Sequence, residues 1–204
     1  MNNTSTLKEK LQSLLDKITS EDDFPVTNLT LDKSLVEEIE QLTTEVEEIN
    51  PNPQPLLNAV DLLNGKWLLQ YSTAREIRSL SSLPLGLKIG RVYQEIDVAT
   101  KSFSNLAFVK HPWGLVSGSV KVTATFEPAE DETNKRINVQ FDKRYLSIEQ
   151  IFGIQTPNLN PFKVVQANNP QGRIPTLDVT YLDETMRIGR GGDGSLFILK
   201  RASS

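Results

Sequence analysis

The spacing of apolar residues changes at Gly65, and this change constrains the fold more than any other feature of the sequence. Before it, apolar residues recur every three to four positions, which is typical of amphipathic helices. After it, they alternate with polar residues, which is typical of half-buried β-strands. The segment LNGKWLLQYST, from Leu63 to Thr73, spans the change. We expect Gly65 to end a short helix over 56–63 and Trp67 to begin the first long strand.

Two amphipathic helices are predicted before this point. Each begins with capping-box spacing, at Thr6 to Glu9 and at Ser34 to Glu37, and the proline-rich segment from Asn50 ends the second helix. We therefore assign residues 1–54 to an N-terminal amphipathic helical region and residues 55–204 to a β domain. The second helix carries six glutamates, for which a solvated face is the simplest interpretation and a docking surface for a basic partner the alternative: Glu37, Glu38, Glu40, Glu45, Glu47 and Glu48.

The remainder of the chain predicts about eight antiparallel strands joined by short polar turns. Such a set closes most readily into a barrel with room for one small ligand, and a two-sheet sandwich is the competing arrangement. The predicted fold class is therefore mainly β with N-terminal α-helices, as an antiparallel up-and-down β-barrel. The predicted strands are 66–71, 88–97, 102–110, 116–126, 137–142, 176–181, 185–190 and 195–200, with a further candidate at 162–166.

The composition excludes several kinds of chemistry. The chain has no cysteine and one histidine, His111, which precedes a proline in a predicted hairpin loop. A thiolate nucleophile, a histidine-based triad and a multi-histidine metal site cannot be built from these residues, although an all-carboxylate metal site could be. We therefore expect no enzymatic activity, no catalytic residue, no metal and no cofactor.

Targeting and charge are also informative. No apolar run reaches the length of a signal peptide or a membrane-spanning helix, so we expect a soluble, uncleaved chain.

The net charge of −4 is unevenly distributed, because the N-terminal region is acidic and the β domain mildly basic. That balance is too weak for non-specific nucleic-acid binding but is compatible with contact to anionic lipid headgroups. We expect no nucleic-acid partner.

Apolar residues concentrate in the loops at one end of the predicted barrel. In an up-and-down meander alternate connections share an end, and the connections at 74–87, 111–114 and 145–160 belong to one such set. Apolar residues are seldom left bare to water in such number, so these loops form either a mouth or a covered rim. The predicted membrane-contact residues are Leu80, Leu83, Leu85, Trp113 and Phe152.

Inward positions of the predicted barrel either fill it or line a ligand cavity. Trp67 is interpreted mainly as a core residue, whereas the aromatic residues of later strands fit both alternatives. Of Arg187 and Arg190, one either lies over Trp67 as a cation–π lid or holds the polar head of a ligand. The predicted ligand-binding set is Trp67, Tyr71, Val120, Phe126, Val139, Phe141, Tyr181, Arg187 and Arg190.

Two segments resemble the plastid lipid-associated protein family, also called fibrillins. These are LNGKWLLQYST and, more specifically, the C-terminal run LDVTYLDETMRIGRGGDGSLFILKR, and the resemblance covers about 56–201. The residues that match the family pattern in the second segment are Tyr181, Leu182, Asp183, Arg187, Ile188, Arg190, Gly191, Gly194, Ser195, Leu196 and Phe197. The resemblance implies a lipocalin-like barrel that binds or coats lipid on thylakoid membranes or plastoglobule-like droplets and protects photosynthetic membranes under stress.

Because no plant-type transit peptide is seen, the chain resembles a cyanobacterial member that is cytoplasmic and peripherally associated with the thylakoid membrane. The first functional hypothesis is a non-enzymatic protein that binds or sequesters an isoprenoid, quinone or acyl lipid and contacts a membrane or droplet. The alternative is a structural or adaptor protein with a filled barrel, which binds a partner such as a prenylquinone-synthesis enzyme. A lipid-modifying enzyme is disfavoured, since no nucleophile and base are recognisable.

Overall fold

The computed structural model describes residues 3–19, 26–79, 87–167 and 174–202, and within them the fold is mainly β with helices concentrated near the N-terminus. The α-helices are α1 Asn3–Ile18, α2 Lys33–Glu48, α3 Pro55–Asn58 and α4 Arg75–Ser79. The strands are β1 Val26–Thr27, β2 Gly65–Ser72, β3 Lys88–Asp97, β4 Ser102–Lys110, β5 Val116–Pro128, β6 Arg136–Ile151, β7 Ile154–Gln155, β8 Lys163–Gln166, β9 Thr176–Leu182, β10 Met186–Gly191 and β11 Leu196–Arg201.

Both long helices are present, but neither begins at its predicted capping box. Helix α1 already starts at Asn3, so Thr6 lies inside it. Helix α2 has Asp32 as its N-cap residue, and that side chain makes no capping hydrogen bond. The short helix predicted over 56–63 is divided into α3 and a 3-10 turn, Val60–Leu63. The helical periodicity was therefore informative about the existence of these helices and misleading about their first residues.

The long strands follow one another around a ring. Each of β2 to β6 pairs antiparallel with the next, β6 pairs with β9, and β9 to β11 continue in order. Strand β2 pairs with both β11 and β3, so the pairing returns to its starting point. Among the described strands, the short β1 adds in parallel to β2, and β7 and β8 pair with β6.

Strand β6 belongs to two parts of the sheet. Its first residues, 136–138, pair with β9, whereas 143–146 pair with β8 and 150–151 with β7. The portions of β3 to β6 that lie beyond the pairings with β2 and β9 therefore extend outside the ring, together with β7 and β8. We call residues 88–93, 104–123 and 143–167 the projecting sheet.

A β-bulge in β2 reverses the direction of its side chains. Trp67 and Leu69 point into the ring and belong to its buried interior cluster. The pairing with β11 then slips at Gln70, and Tyr71 joins a separate buried cluster on the outer face. Two-residue alternation along β2 predicts Trp67, Leu69 and Tyr71 on one face. This prediction is wrong at Tyr71, because the bulge inserts one extra residue.

A second β-bulge, in β9, also reverses the direction of the side chains. Val179 belongs to the interior cluster, the pairing with β10 slips at Thr180, and Tyr181 lies in the outer cluster. Two-residue alternation along this strand predicts Tyr181 on the same face as Leu177 and Val179, and that prediction is wrong because the bulge inserts one extra residue. The two displaced tyrosines supply large buried side chains to the outer face.

Helices α1 and α2 cover that outer face of β2 and β9 to β11. The cluster between helices and sheet is fully buried at most positions and consists of Leu11, Leu15, Val26, Ile39, Val46, Tyr71, Tyr181, Met186, Ile188, Leu196 and Ile198. The helices thus lie against the outside of the ring and do not enter its interior.

Ion pairs fix the helices to the strands. The Arg190 guanidinium forms ion pairs with the carboxylates of Glu47 at 2.9 Å and Glu40 at 2.7 Å. The Thr180 hydroxyl also donates to Glu47, whose side chain is only 13% exposed. The prediction of a fully solvated glutamate face is therefore wrong at Glu47, because the bulged strand presents polar groups to α2.

A second ion pair joins α1 to the end of β9. The Lys8 ammonium and the Tyr181 hydroxyl both donate to Oδ2 of Asp183, at 2.5 and 2.7 Å. Burial acts to raise the pKa of Asp183, but these hydrogen bonds and two backbone N–H groups outweigh it and lower the pKa to about 2. The carboxylate therefore stabilises the fold above the pKa of an unfolded aspartate, about 3.9, and this contribution is lost as the pH falls through about 2.

We expect Asp183→Asn to lower the free energy of unfolding at pH 7 by about 2 kcal/mol, since it removes a charged acceptor of two side-chain donors. Urea denaturation of both proteins from pH 7 to pH 2 measures this difference. The difference should shrink between pH 4 and pH 2, as the wild-type carboxylate becomes protonated. A pH-independent difference would show that the charge of Asp183 does not stabilise the fold.

Candidate functional site

The interior of the ring is almost filled by side chains. It contains a cavity of about 30 Å³, which has room for about two water molecules and not for an isoprenoid or acyl chain. The cavity walls are mainly apolar and consist of Leu63, Gln94, Ile96, Phe103, Phe126, Ile137, Val139, Leu177, Val179 and Arg187. A second cleft, of about 740 Å³, is open to solvent along β3 to β5 and has walls of mixed polar and apolar character.

Trp67 closes the interior at the start of β2. Its indole is fully buried, and Nε1 donates to the carbonyl of Leu63 at 2.9 Å. The Arg201 guanidinium lies 3.9 Å from the indole centroid and donates to the carbonyls of Leu62, at 2.6 Å, and Asn64. Trp67 is thus a core residue, held by the 3-10 turn before it and by the last strand above it.

Gly65 permits this closure. Its φ of 108° lies in a region that side chains rarely adopt, and an added Cβ would be 3.1 Å from Nη1 of Arg201. The sequence predicted Arg187 or Arg190 as a cation–π partner of Trp67. Arg187 does lie over the indole, at 5.2 Å from its centroid, but Arg201 is closer, at 3.9 Å. Its position was accessible from the sequence, because Arg201 follows Phe197 and Leu199 at two-residue intervals on the inward face.

Arg187 is the one buried cation of the cavity wall. It is 3% exposed, lies 5.2 Å from the indole of Trp67, and donates to the side-chain carbonyl of Gln94. No carboxylate among the described residues forms an ion pair with it. Burial, with a smaller contribution from Arg201, lowers the pKa of Arg187 to about 9. The guanidinium therefore has a neutral partner and unused donor capacity beside the cavity.

The structure divides the predicted ligand-binding set. Phe126, Val139 and Arg187 line the cavity, and Phe141 packs against the interior cluster without lining the cavity. Val120 lies farther along β5, opposite Ala107 and Leu146 in the projecting sheet. Tyr71, Tyr181 and Arg190 contact the helices on the outer face. The other residues of the cavity wall were not predicted from the sequence, although most of them lie on predicted strands. Those on predicted strands are Gln94, Ile96, Phe103, Ile137, Leu177 and Val179.

The strongest exposed apolar feature lies at the end of the projecting sheet. Trp113, in the turn between β4 and β5, is 82% exposed, and Phe152, in the turn between β6 and β7, is 73% exposed. The two turns are adjacent, because the N–H of Phe152 donates to the carbonyl of Leu115 at 2.8 Å. Ile154, opposite Ile151, is 71% exposed. We call Trp113, Phe152 and Ile154 the apolar tip.

Local backbone geometry presents the apolar tip to solvent. Phe152 and Gly153 have φ values of 49° and 77°, which make a tight turn with the phenyl group at its corner. The N–H of Trp113 donates to Nδ1 of His111, and the two rings pack edge to face at 5.5 Å. The predicted contact residues Leu80, Leu83 and Leu85 lie outside the described residues.

The described residues contain neither a cluster of metal-binding side chains nor a helix that could span a membrane. No group of three or more histidine, aspartate or glutamate side chains among them comes together as a metal site. None of their helices is long and apolar enough to cross a membrane.

Comparison with known proteins gives one matching family model and several relatives with related names. The PAP_fibrillin family model matches residues 8–200. The chain is 30% identical to the "Light-induced protein, chloroplastic" of Solanum tuberosum over 82% of its own length and 60% of the relative. It is 33% identical to "Plastid-lipid-associated protein 6, chloroplastic" of Arabidopsis thaliana, over 79% of its own length and 61% of the relative. It is 32% identical to "Plastoglobulin-1, chloroplastic" of Pisum sativum, over 82% of its own length and 54% of the relative. It thus spans a little over half the length of these relatives.

The two arginines near Trp67 are expected to respond differently to substitution. Arg201→Met should lower the free energy of unfolding by about 2 kcal/mol, because the backbone carbonyls of Leu62, Asn64 and Glu184 lose a donor. Arg187→Met should change it by less than about 1 kcal/mol, since relief of a buried charge offsets the donor that Gln94 loses. Urea denaturation measures both. The opposite order would mean that Arg187, not Arg201, holds the closure together.

Proposed function

Because the chain belongs to the PAP_fibrillin family, we propose that it is a non-enzymatic, peripheral lipid-associated protein that attaches to a lipid surface through the apolar tip. In this proposal the ring of strands is a lipocalin-like barrel, which supports the attachment site. The ring of pairings, the Gly65–Trp67 start and the Arg201 lid over the indole favour that description.

The observation that carries the proposal is the adjacency of Trp113 and Phe152. Their two turns are joined by a backbone hydrogen bond, and both side chains are more than 70% exposed. Moving such a side chain from water into an apolar environment contributes about 1.5–3 kcal/mol, and aromatic residues favour the membrane–water interface. Three such side chains on one tip are sufficient for reversible attachment without a membrane-spanning segment.

The small interior volume favours a filled barrel over one that carries a large cargo. A cavity of about 30 Å³ leaves no space for an isoprenoid chain unless the walls move apart. The chain therefore acts chiefly through its surface, as a structural protein or adaptor at the lipid boundary. The names of its relatives, which refer to plastid lipid and plastoglobules, support attachment to thylakoid membranes or lipid droplets of photosynthetic cells, and a protective role under stress is part of this proposal.

A second candidate function, sequestration of a small hydrophobic molecule, is favoured by Arg187 alone. A buried guanidinium beside an apolar cavity would bind the carbonyl or carboxylate head of a quinone or acyl lipid. Native mass spectrometry of protein from a photosynthetic host tests this candidate. A stoichiometric lipid that is absent from Phe126→Trp would support it, and a clean apo mass after incubation with such lipids would exclude it.

The apolar tip can be tested by vesicle flotation. The double variant Trp113→Ser and Phe152→Ser should reduce the vesicle-bound fraction at least tenfold, because it removes two of the three exposed apolar side chains from the lipid contact. Leu29→Ser with Leu57→Ser is the matched control, since these leucines are 64% and 62% exposed elsewhere. Equal loss of binding in both double variants, or in neither, would contradict attachment through the apolar tip.

A further inference from the structure

Charge is unevenly divided between the projecting sheet and the remainder of the chain, although Glu95 and Asp142 of the remainder border the sheet and line the same open cleft as Lys121. The projecting sheet contains a single acidic residue, Glu149, and the seven basic residues Lys88, Arg91, Lys110, Lys121, Lys143, Arg144 and Lys163. The remainder carries fifteen basic and twenty-five acidic residues, a net charge of −10. The element that ends in the apolar tip is thus the basic part of an otherwise acidic protein.

Strand register identifies which face of the projecting sheet is outward. On one face, Ile89, Val92 and Ala107 are buried in the interior cluster. Residues directly opposite one another share a face, so one row of the other face runs across five strands. That row consists of Tyr93, Leu106, Lys121, Tyr145 and Val164.

Apolar and aromatic side chains are unusually frequent on this outer face. Val164 and Phe108 are 48% and 37% exposed, and Phe108 packs edge to face on Tyr93 with centroids 6.3 Å apart. The ammonium of Lys66 lies 4.3 Å from the centroid of Tyr93. An outer sheet face that carries rings and aliphatic groups between lysines has the composition of a membrane–water interface.

Exposed lysines connect the outer face to the apolar tip. Lys88 and Lys110 lie opposite each other, and Lys110 precedes Trp113 by three residues. Lys121 lies in the central row, and Lys143 lies on the same face two residues before Tyr145. Helices α1 and α2, by contrast, cover β2 and β9 to β11, on the other side of the ring, and α2 carries six glutamates and one lysine.

We propose that the outer face of the projecting sheet, together with the apolar tip, is a docking surface for anionic lipid headgroups. This inference rests on the proposed function and specifies its lipid class. The apolar tip enters the interface, and Lys88, Lys110, Lys121 and Lys143 contact the negatively charged headgroups. Each lysine held near such a surface raises affinity about fivefold, and the effect is screened by salt.

The charge distribution also sets the orientation of the protein. An anionic surface attracts the projecting sheet and repels the acidic remainder, so the helix-covered side faces away from the lipid. A basic, aromatic sheet face could in principle bind a single-stranded nucleic acid as well. The apolar tip favours lipid, because a water-soluble polyanion offers nothing that would bury Trp113, Phe152 and Ile154.

The test measures partition of the full chain onto vesicles of phosphatidylcholine, with and without about one third phosphatidylglycerol, at low and high salt. Wild type should bind the anionic vesicles more than about twenty-five-fold more tightly, and the difference should fall as salt rises. Lys110→Gln with Lys121→Gln should lower affinity for anionic vesicles about twenty-five-fold and leave binding to neutral vesicles unchanged. Lys10→Gln with Lys17→Gln, exposed on α1, is the control with the same charge change and should have less than a twofold effect.

Three outcomes would overturn the inference, and they are distinguishable. Equal binding to both vesicle types, unaffected by the lysine variants, would remove the anionic docking surface and leave attachment through the apolar tip standing. No wild-type binding to either vesicle type, with the protein folded, would remove the proposed function as well. Binding to a poly(U) oligonucleotide that is lost in Lys110→Gln with Lys121→Gln, without any dependence on phosphatidylglycerol, would assign the face to nucleic acid.

Discussion

Closure of the strand ring at β2 is the constraint on which the remaining features depend. The first ring strand pairs on both of its edges, and the indole of Trp67 is buried at this junction beneath the guanidinium of Arg201. Because Arg201 also donates to the carbonyls of the preceding 3-10 turn, one side chain joins the last strand, the first strand and the turn that leads into it. Gly65 is required there, since a side chain at that position would be strained and would crowd Arg201.

A closed ring has an outer surface all the way round, and this protein uses its two sides differently. Bulges at Gln70 and Thr180 direct Tyr71 and Tyr181 outward, where α1 and α2 bury them. On the opposite side, β3 to β8 continue beyond the ring, and none of the described α-helices packs there. This side carries the basic residues and the apolar tip. Packing and charge therefore differ between the two sides: helices bury the first side and α2 adds six glutamates to it, whereas the second side carries the basic residues and the apolar tip that we propose contact lipid.

Much of this arrangement was accessible from the sequence. Two-residue alternation predicted the strands, and unpartnered apolar loops predicted the exposure of Trp113 and Phe152. The bulges could not be predicted, because a sheet covered on both faces places apolar side chains on both, and the pattern then contains no mark of the reversal. The burial of Glu47 was hidden for a related reason, since only the tertiary structure brings Arg190 to α2. The basic outer face could not be recognised in the sequence, because its four lysines are far apart along the chain, one on each of the strands β3 to β6.

The most direct test of lipid attachment uses the two tryptophans of the chain as opposed reporters. Trp113 is 82% exposed at the apolar tip, whereas Trp67 is fully buried within the ring. With vesicles that contain lipids brominated along their acyl chains, quenching of tryptophan fluorescence reports contact with the hydrocarbon region. The account predicts that wild type is quenched and that Trp113→Phe, which retains only Trp67, is not. Equal fluorescence of wild type with brominated and ordinary vesicles, when the protein is bound to both, would contradict insertion of the apolar tip.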